Sequence, residues 1–163
     1  MAVNSSAKEI ISPFEKLLAN LTAAGVDFAV VGGVAVIANG YSRLTDDLDI
    51  LVSDSRENLS KMLGVLERFG EGFARELKPE DFPRQEGSLR VAEDFDLDIF
   101  TLMRGHTLED FRPQLRQHEL ATFAFRHLSP AQLIQLKSGS WRDKDKLDVL
   151  AMQEIIAREA AQA

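Results

Sequence analysis

Apolar residues recur at helical spacing at Phe14, Leu17, Leu18 and Leu21, between Ser12-Pro13 and Gly25. Ser12 reads as an N-cap, Pro13 as the first helical position and Gly25 as the close, so the pattern predicts a helix over 13–24. The run Phe28-Ala29-Val30-Val31 reads as a buried strand that enters Gly32-Gly33, and residues 34–39 as a short helix ended by Gly40. A second strand is predicted over Asp47–Val52. An amphipathic helix follows over 54–69, with Leu59, Met62, Leu63 and Leu66 on one face. The segment 71–87 carries Pro79 and Pro83 among many charges and reads as a loop. Ser88–Ala92 and 95–102 read as strands joined by a tight turn at Glu93-Asp94. Beyond them the pattern predicts a helix over 107–115 capped by Thr107, a weakly alternating strand over 121–127, and a helix from Ser129-Pro130 through Leu136. A long last helix covers 144–160. Strands interspersed with helices, including one hairpin, predict an α/β (α+β) fold with a short mixed sheet.

Composition narrows this only a little. At 163 residues, 45% hydrophobic and 28% charged, the chain reads as one domain over 1–163 with enough material for a sizeable core. It has no cysteine, which excludes disulfides and thiolate metal sites. No apolar run approaches the roughly 20 residues that span a bilayer. The opening MAVNSSAKEI lacks a basic stretch followed by an apolar one, so a cytoplasmic location is expected and no membrane partner. A net charge of -7 argues against a general electrostatic grip on nucleic acid, though a local basic patch stays compatible with it.

The candidate chemistry lies in RLTDDLDILV, residues 43–52. Asp47 and Asp49 are two apart on a predicted strand, so their side chains leave the same face, with Cα atoms roughly 6–7 Å apart. Two ionised carboxylates that close repel, and a hard divalent ion such as Mg²⁺ resolves the repulsion. The competing explanation is a solvated strand start. Asp46 points to the other face and reads as a surface or turn-capping residue. A second pair, Asp96 and Asp98 in FDLDIF, changes the balance. If the two strands are neighbours, opposed side chains come within about 5 Å and one of these acids joins the first pair. Asp98 is favoured, with Asp96 as the alternative, because Asp98 sits deeper in its strand. Three acids on adjacent strands can hold two metal ions about 3.5–4 Å apart for phosphoryl or nucleotidyl transfer. Gly32 and Gly33, between a strand and a short helix, leave backbone N–H groups open to phosphate, although such a turn can need glycine for geometry alone.

Taken together these residues resemble the nucleotidyltransferase superfamily with the polymerase-β-like fold. The resemblance rests on Val31-Gly32-Gly33, thirteen intervening residues, Asp47-Leu48-Asp49, and Asp98 further on. The sub-pattern Arg43, Thr45, Asp47, Asp49 is similar to the branch of AbiEii-type toxins and small uncharacterised nucleotidyltransferases. So are Leu133, Ile134, Lys137, Arg142, Lys144, Asp145 and Asp148 in LIQLKSGSWRDKDKLDVL, and the likeness spans about residues 26–150.

The resemblance implies a minimal nucleotidyltransferase fold and transfer of a nucleoside monophosphate from an NTP to an acceptor hydroxyl, with release of pyrophosphate. Asp47, Asp49 and Asp98 would hold Mg²⁺ or Mn²⁺. Gly32 and Gly33 would cradle phosphates. Arg43, Thr45, Lys137, Arg142 and Lys144 would serve the nucleotide. The acceptor would be a small molecule, a tRNA end or a protein, and a partner such as an antitoxin is implied for a toxin. About 65 residues follow Asp98, too few for a large RNA-gripping domain, so no extended nucleic-acid track is expected. Plainer roles stand beside these: Lys137 complementing a helix dipole, Arg43 pairing with Asp46 or Asp47, Thr45 capping a turn, and Asp145 capping or pairing with a base. Trp141 is expected in the core or an interface rather than on a nucleobase. His106, His118 and His127 lack ligand spacing and are expected to be surface or structural. The alternative to an enzyme is a catalytically weak nucleotide- or partner-binding protein on the same fold. An EF-hand is excluded, because DDLDILVSD lacks the turn glycine and closing glutamate.

Overall fold

The structure is a computed structural model that describes the backbone of residues 5–163 and the side chains from residue 11 onward. The sequence reading of the opening segment therefore falls largely outside the described residues. Six strands form one mixed sheet in the order β3-β4-β2-β1-β6-β5. They are β1 (Phe28–Val31), β2 (Asp47–Val52), β3 (Ser88–Ala92), β4 (Asp96–Phe100), β5 (Arg116–Glu119) and β6 (Ala124–His127). The helices are α1 (Ser5–Ala23), α2 (Gly32–Ala38), α3 (Arg56–Leu66), α4 (Leu108–Phe111), α5 (Pro130–Lys137) and α6 (Asp143–Gln162). The fold class is the expected one: mixed α/β, with the sheet at its centre.

The expected apolar stripe of α1 is buried, with Phe14, Leu17, Leu18 and Leu21 joined by Ile11. Its start was misplaced, however. The helix runs back to Ser5 and holds Pro13 in its interior, so Ser12 is not its N-cap. In α3, Ser55 is the N-cap and accepts a hydrogen bond from the Asn58 amide. In α5, Ser129 and Gln132 form a reciprocal capping box beside Pro130 at the first turn. The 71–87 segment is irregular apart from two short 3₁₀ turns, Phe73–Glu76 and Pro79–Asp81.

Two corrections concern strands. β5, sequence Arg-Gln-His-Glu, was not anticipated: it is an edge strand with no buried residue, so it carries no apolar signal. The β3–β4 hairpin is also one residue looser than expected. β4 starts at Asp96, so Glu93, Asp94 and Phe95 all lie in the connection, and Ala92 pairs with Asp96. A single residue at such a turn decides which face every following side chain occupies.

The register around β2 positions the site. β2 and β4 are parallel, with Asp47 opposite Asp96 and Asp49 opposite Asp98. β1 runs antiparallel to β2, with Val31 opposite Asp49, and β3 antiparallel to β4, with Arg90 opposite Asp98. Val31, Asp49, Asp98 and Arg90 thus form one row across four strands. The intervening residues Leu48, Ile50, Leu97 and Ile99 are buried in the core. No helix among the described residues is long and apolar enough to cross a membrane.

Candidate active site

Alternation along β2 turns Asp47 and Asp49 to one face, as the spacing requires, while Leu48 and Ile50 go to the core. β4 repeats the pattern, and its parallel register with β2 brings the two acid pairs side by side. Both candidates for the third acid are thereby placed: Asp96 stands next to Asp47, and Asp98 next to Asp49. Asp98 is the more enclosed, at 6% exposure.

The carboxylates of Asp49 and Asp98 hydrogen-bond one another. Burial, reinforced by the charges of Asp98 and Asp47, pushes the Asp49 carboxyl up to about 7. Asp98 moves the other way. Hydrogen bonds from Arg90 hold it below the usual carboxylate range. Of the pair, Asp49 is therefore the one pushed toward protonation and Asp98 the one held ionised.

Arg90 is a functional candidate that the sequence reading missed. Its Nε and Nη2 donate to the two oxygens of Asp98, each at 2.9 Å. The same guanidinium lies 3.2 Å from Asp96 and 3.8 Å from Asp47. Ser88 adds a hydroxyl 3.4 Å from Asp98 Oδ1. The signal lay in the hairpin register: with a two-residue turn Arg90 would sit opposite Leu97, whereas the observed turn sets it opposite Asp98.

Gly32 and Gly33 adjoin the acid row at the start of α2. Gly32 has φ +69, and a Cβ there would overlap the Asp49 carboxylate. A Cβ on Gly33 would come within 2.8 Å of Arg43 Nη2 and 3.1 Å of Thr45 Oγ1. The glycines thus make room for side chains of the site, in addition to any part their amides play. Thr45 Oγ1 lies 3.3 Å from the Asp47 carbonyl and 3.4 Å from its amide, a local turn contact.

The C-terminal residues converge on Asp148, which is 0% exposed. Arg43 reaches its carboxylate with Nε at 2.9 Å and Nη2 at 3.0 Å. Lys137 Nζ stands 3.0 Å from both Asp148 and Asp145. Arg43 therefore pairs with Asp148, not with Asp46 or Asp47, and Asp145 does pair with a base. Lys137 is close enough for its charge to oppose the upward push on Asp49. Arg142 and Lys144 are both exposed, and Arg142 meets this network only at its edge, with Nε 4.0 Å from Asp145. Trp141 is 85% exposed, so it is not part of the core. His127, by contrast, is buried at 2% exposure, a structural histidine, and its ring bonds the Leu128 carbonyl.

Comparison with solved structures settles what this arrangement of strands is. A lincosamide antibiotic adenylyltransferase, LnuA, solved with lincomycin bound, superposes with a TM-score of 0.57 at 15% identity, covering 94% of this chain and 98% of that one. The chain has the nucleotidyltransferase fold. A candidate nucleotidyltransferase from Thermotoga maritima superposes with a TM-score of 0.56 at 16% identity, over 95% of this chain and 94% of that one. No protein-family model and no curated protein matches the sequence.

On that fold, the donor set suits a hard divalent ion in chemistry and in register: carboxylate oxygens from two adjacent strands, one of them driven toward protonation by burial and by its neighbouring carboxylates. As they stand, no three ligating side chains among the described residues converge tightly enough to hold one. The position between Asp47, Asp96 and Asp98 is taken by the Arg90 guanidinium.

Proposed function

We propose that the chain is a nucleotidyltransferase that passes a nucleoside monophosphate from an NTP to an acceptor hydroxyl and releases pyrophosphate. The observation that carries this reading is the register of Asp47 and Asp49 with Asp96 and Asp98 on two parallel strands beside Gly32-Gly33, on the nucleotidyltransferase fold.

Asp47, Asp49 and Asp98 would hold Mg²⁺ or Mn²⁺, with Asp96 as a further oxygen donor. When bound, the ion supplies charge neutralisation for the triphosphate and the developing pyrophosphate. Asp98, fixed by Arg90 and Ser88, is the ionised carboxylate placed to accept a proton from an acceptor hydroxyl. Arg43 and Lys137 are locked by Asp148 and set a positive edge beside Gly33 and Asp49. Arg142 and Lys144 are exposed and available to a polyphosphate. Positioning and electrostatics supply most of the rate in such a site.

For the acceptor, a small hydroxylated molecule comes first. LnuA, which acts on a lincosamide antibiotic, matches the present chain nearly end to end, and the net charge of -7 offers no extended nucleic-acid track. The motif residues Arg43, Thr45, Asp47 and Asp49 support a second acceptor reading, an AbiEii-type toxin acting on a tRNA end or a protein and held by an antitoxin. A binding protein without turnover is supported by one observation, the occupation of the acid row by Arg90.

The test is transfer of label from each α-labelled NTP, with Mg²⁺, to a panel of hydroxylated antibiotics, bulk tRNA and cellular protein. Label in one acceptor class, with matching pyrophosphate and loss in Asp49→Asn, bears the proposal out. No transfer and no pyrophosphate with any donor contradicts it.

A further inference from the structure

We propose that Arg90 is a placeholder cation: it occupies the acid row while no metal is bound, and it must swing out before a divalent ion can enter. The inference rests on the reading of Asp47, Asp49 and Asp98 as a cation site. It concerns the loading of that site rather than the transfer.

Three observations carry it. First, the guanidinium meets the same carboxylates the ion would use, with two 2.9 Å hydrogen bonds to Asp98 and ion pairs to Asp96 and Asp47. A carboxylate engaged by both arms of a guanidinium has its favourable lone pairs committed, and a second cation beside the first is repelled. Second, the alternative cations are engaged elsewhere. Lys137 is tied to Asp145 and Asp148, and Arg43 to Asp148. Third, Arg90 is free to leave. β3 is an edge strand and the Arg90 side chain is 52% exposed. Among the described residues its polar contacts are with these acids alone, so withdrawal breaks no other hydrogen bond or ion pair. The absence of a converged three-ligand cluster follows, because the acids are turned to the arginine.

A structural salt bridge on an edge strand would show the same contacts but would not compete with metal. The distinction is measurable with Mn²⁺ alone. Titration of the full chain, followed by calorimetry and by the loss of free-Mn²⁺ paramagnetic signal, gives the affinity without nucleotide or turnover. In Arg90→Gln the affinity for Mn²⁺ should rise on the order of tenfold or more, the scale set by a charge-assisted bidentate pair. Arg90→Lys keeps the charge but loses the fork, and should fall between wild type and Arg90→Gln. If Arg90→Gln is unfolded by circular dichroism, Arg90→Lys carries the comparison with wild type. Equal Mn²⁺ affinity in the folded variants and wild type overturns the placeholder role and leaves the cation site standing. Absence of Mn²⁺ binding in every form overturns both.

Discussion

Asp49 and Asp98 face one another across two parallel strands and share a hydrogen bond, yet their affinities for a proton are driven apart. Burial and two neighbouring carboxylates raise Asp49, while the Arg90 fork lowers Asp98. One acid is thereby held ionised and the other is pushed toward its protonated form.

Replacing Asp49 by asparagine is expected to stabilise the metal-free protein at pH 8. A carboxyl raised to about 7 contributes stability that is present at low pH and lost as pH rises through that value. The neutral amide escapes the loss, and the gain is on the order of 1–3 kcal/mol. Thermal melts in EDTA from pH 5 to pH 8.5 check this. The wild-type curve should decline toward pH 8 relative to the variant, and parallel curves would count against it.

His127 supplies the opposite sign. Burial lowers its ring to about 4, so the folded state refuses a proton that the unfolded chain accepts near 6.5. Stability is full above that value and falls as the pH drops toward 4. At about 1.4 kcal/mol per pH unit the loss comes to about 3 kcal/mol. His127→Gln should flatten this part of the pH–stability curve, measured by urea unfolding at each pH. An unchanged slope would assign the acid sensitivity to other groups.

Much of the site was legible because period-2 alternation fixes which acids share a face. The identities of Asp47, Asp49, Asp96 and Asp98 needed only that rule and two apolar strands. What could not be read was anything that turns on one residue of register. The hairpin after Ala92 has a three-residue connection, not two, and that difference put Arg90 on the acids instead of the core face. Pairings distant in sequence were equally hidden: Arg43 finds Asp148 across 105 positions, and no local pattern announces it. The polar edge strand β5 escaped for a simpler reason, since none of its four residues is apolar and its more covered face carries Arg116 and His118.

Asp148→Ala is expected to destabilise the chain strongly. It strands Arg43 and Lys137, which are only 13% and 14% exposed, beside an empty place. Removing one partner from a buried ion network costs about 3–5 kcal/mol. Denaturant unfolding of Asp148→Ala against wild type measures it, and a loss below about 1 kcal/mol would show the network to be ordinary surface pairing.

Two glycines offer an internal control for the Asp49 contact. Gly25 has φ +74 with nothing near its missing Cβ, whereas Gly32 has φ +69 and the Asp49 carboxylate in that space. Alanine at Gly25 should cost only backbone strain, about 1 kcal/mol. At Gly32 it should cost that and more, and should weaken Mn²⁺ binding by moving Asp49. Equal losses at the two positions, with Mn²⁺ affinity unchanged, would mean that Gly32 serves the turn alone.

The central claim, that the acid row is a cation-dependent nucleotide site, is tested most directly by thermal shift with each of the four NTPs, with and without Mg²⁺, on wild type and Asp49→Asn. A ligand that binds the folded state raises its stability as RT ln(1 + [L]/Kd). The account predicts a rise in Tm with at least one NTP that requires Mg²⁺ and vanishes in Asp49→Asn, each measured against its own ligand-free baseline. A shift that persists in the variant, or no shift with any NTP, would contradict it.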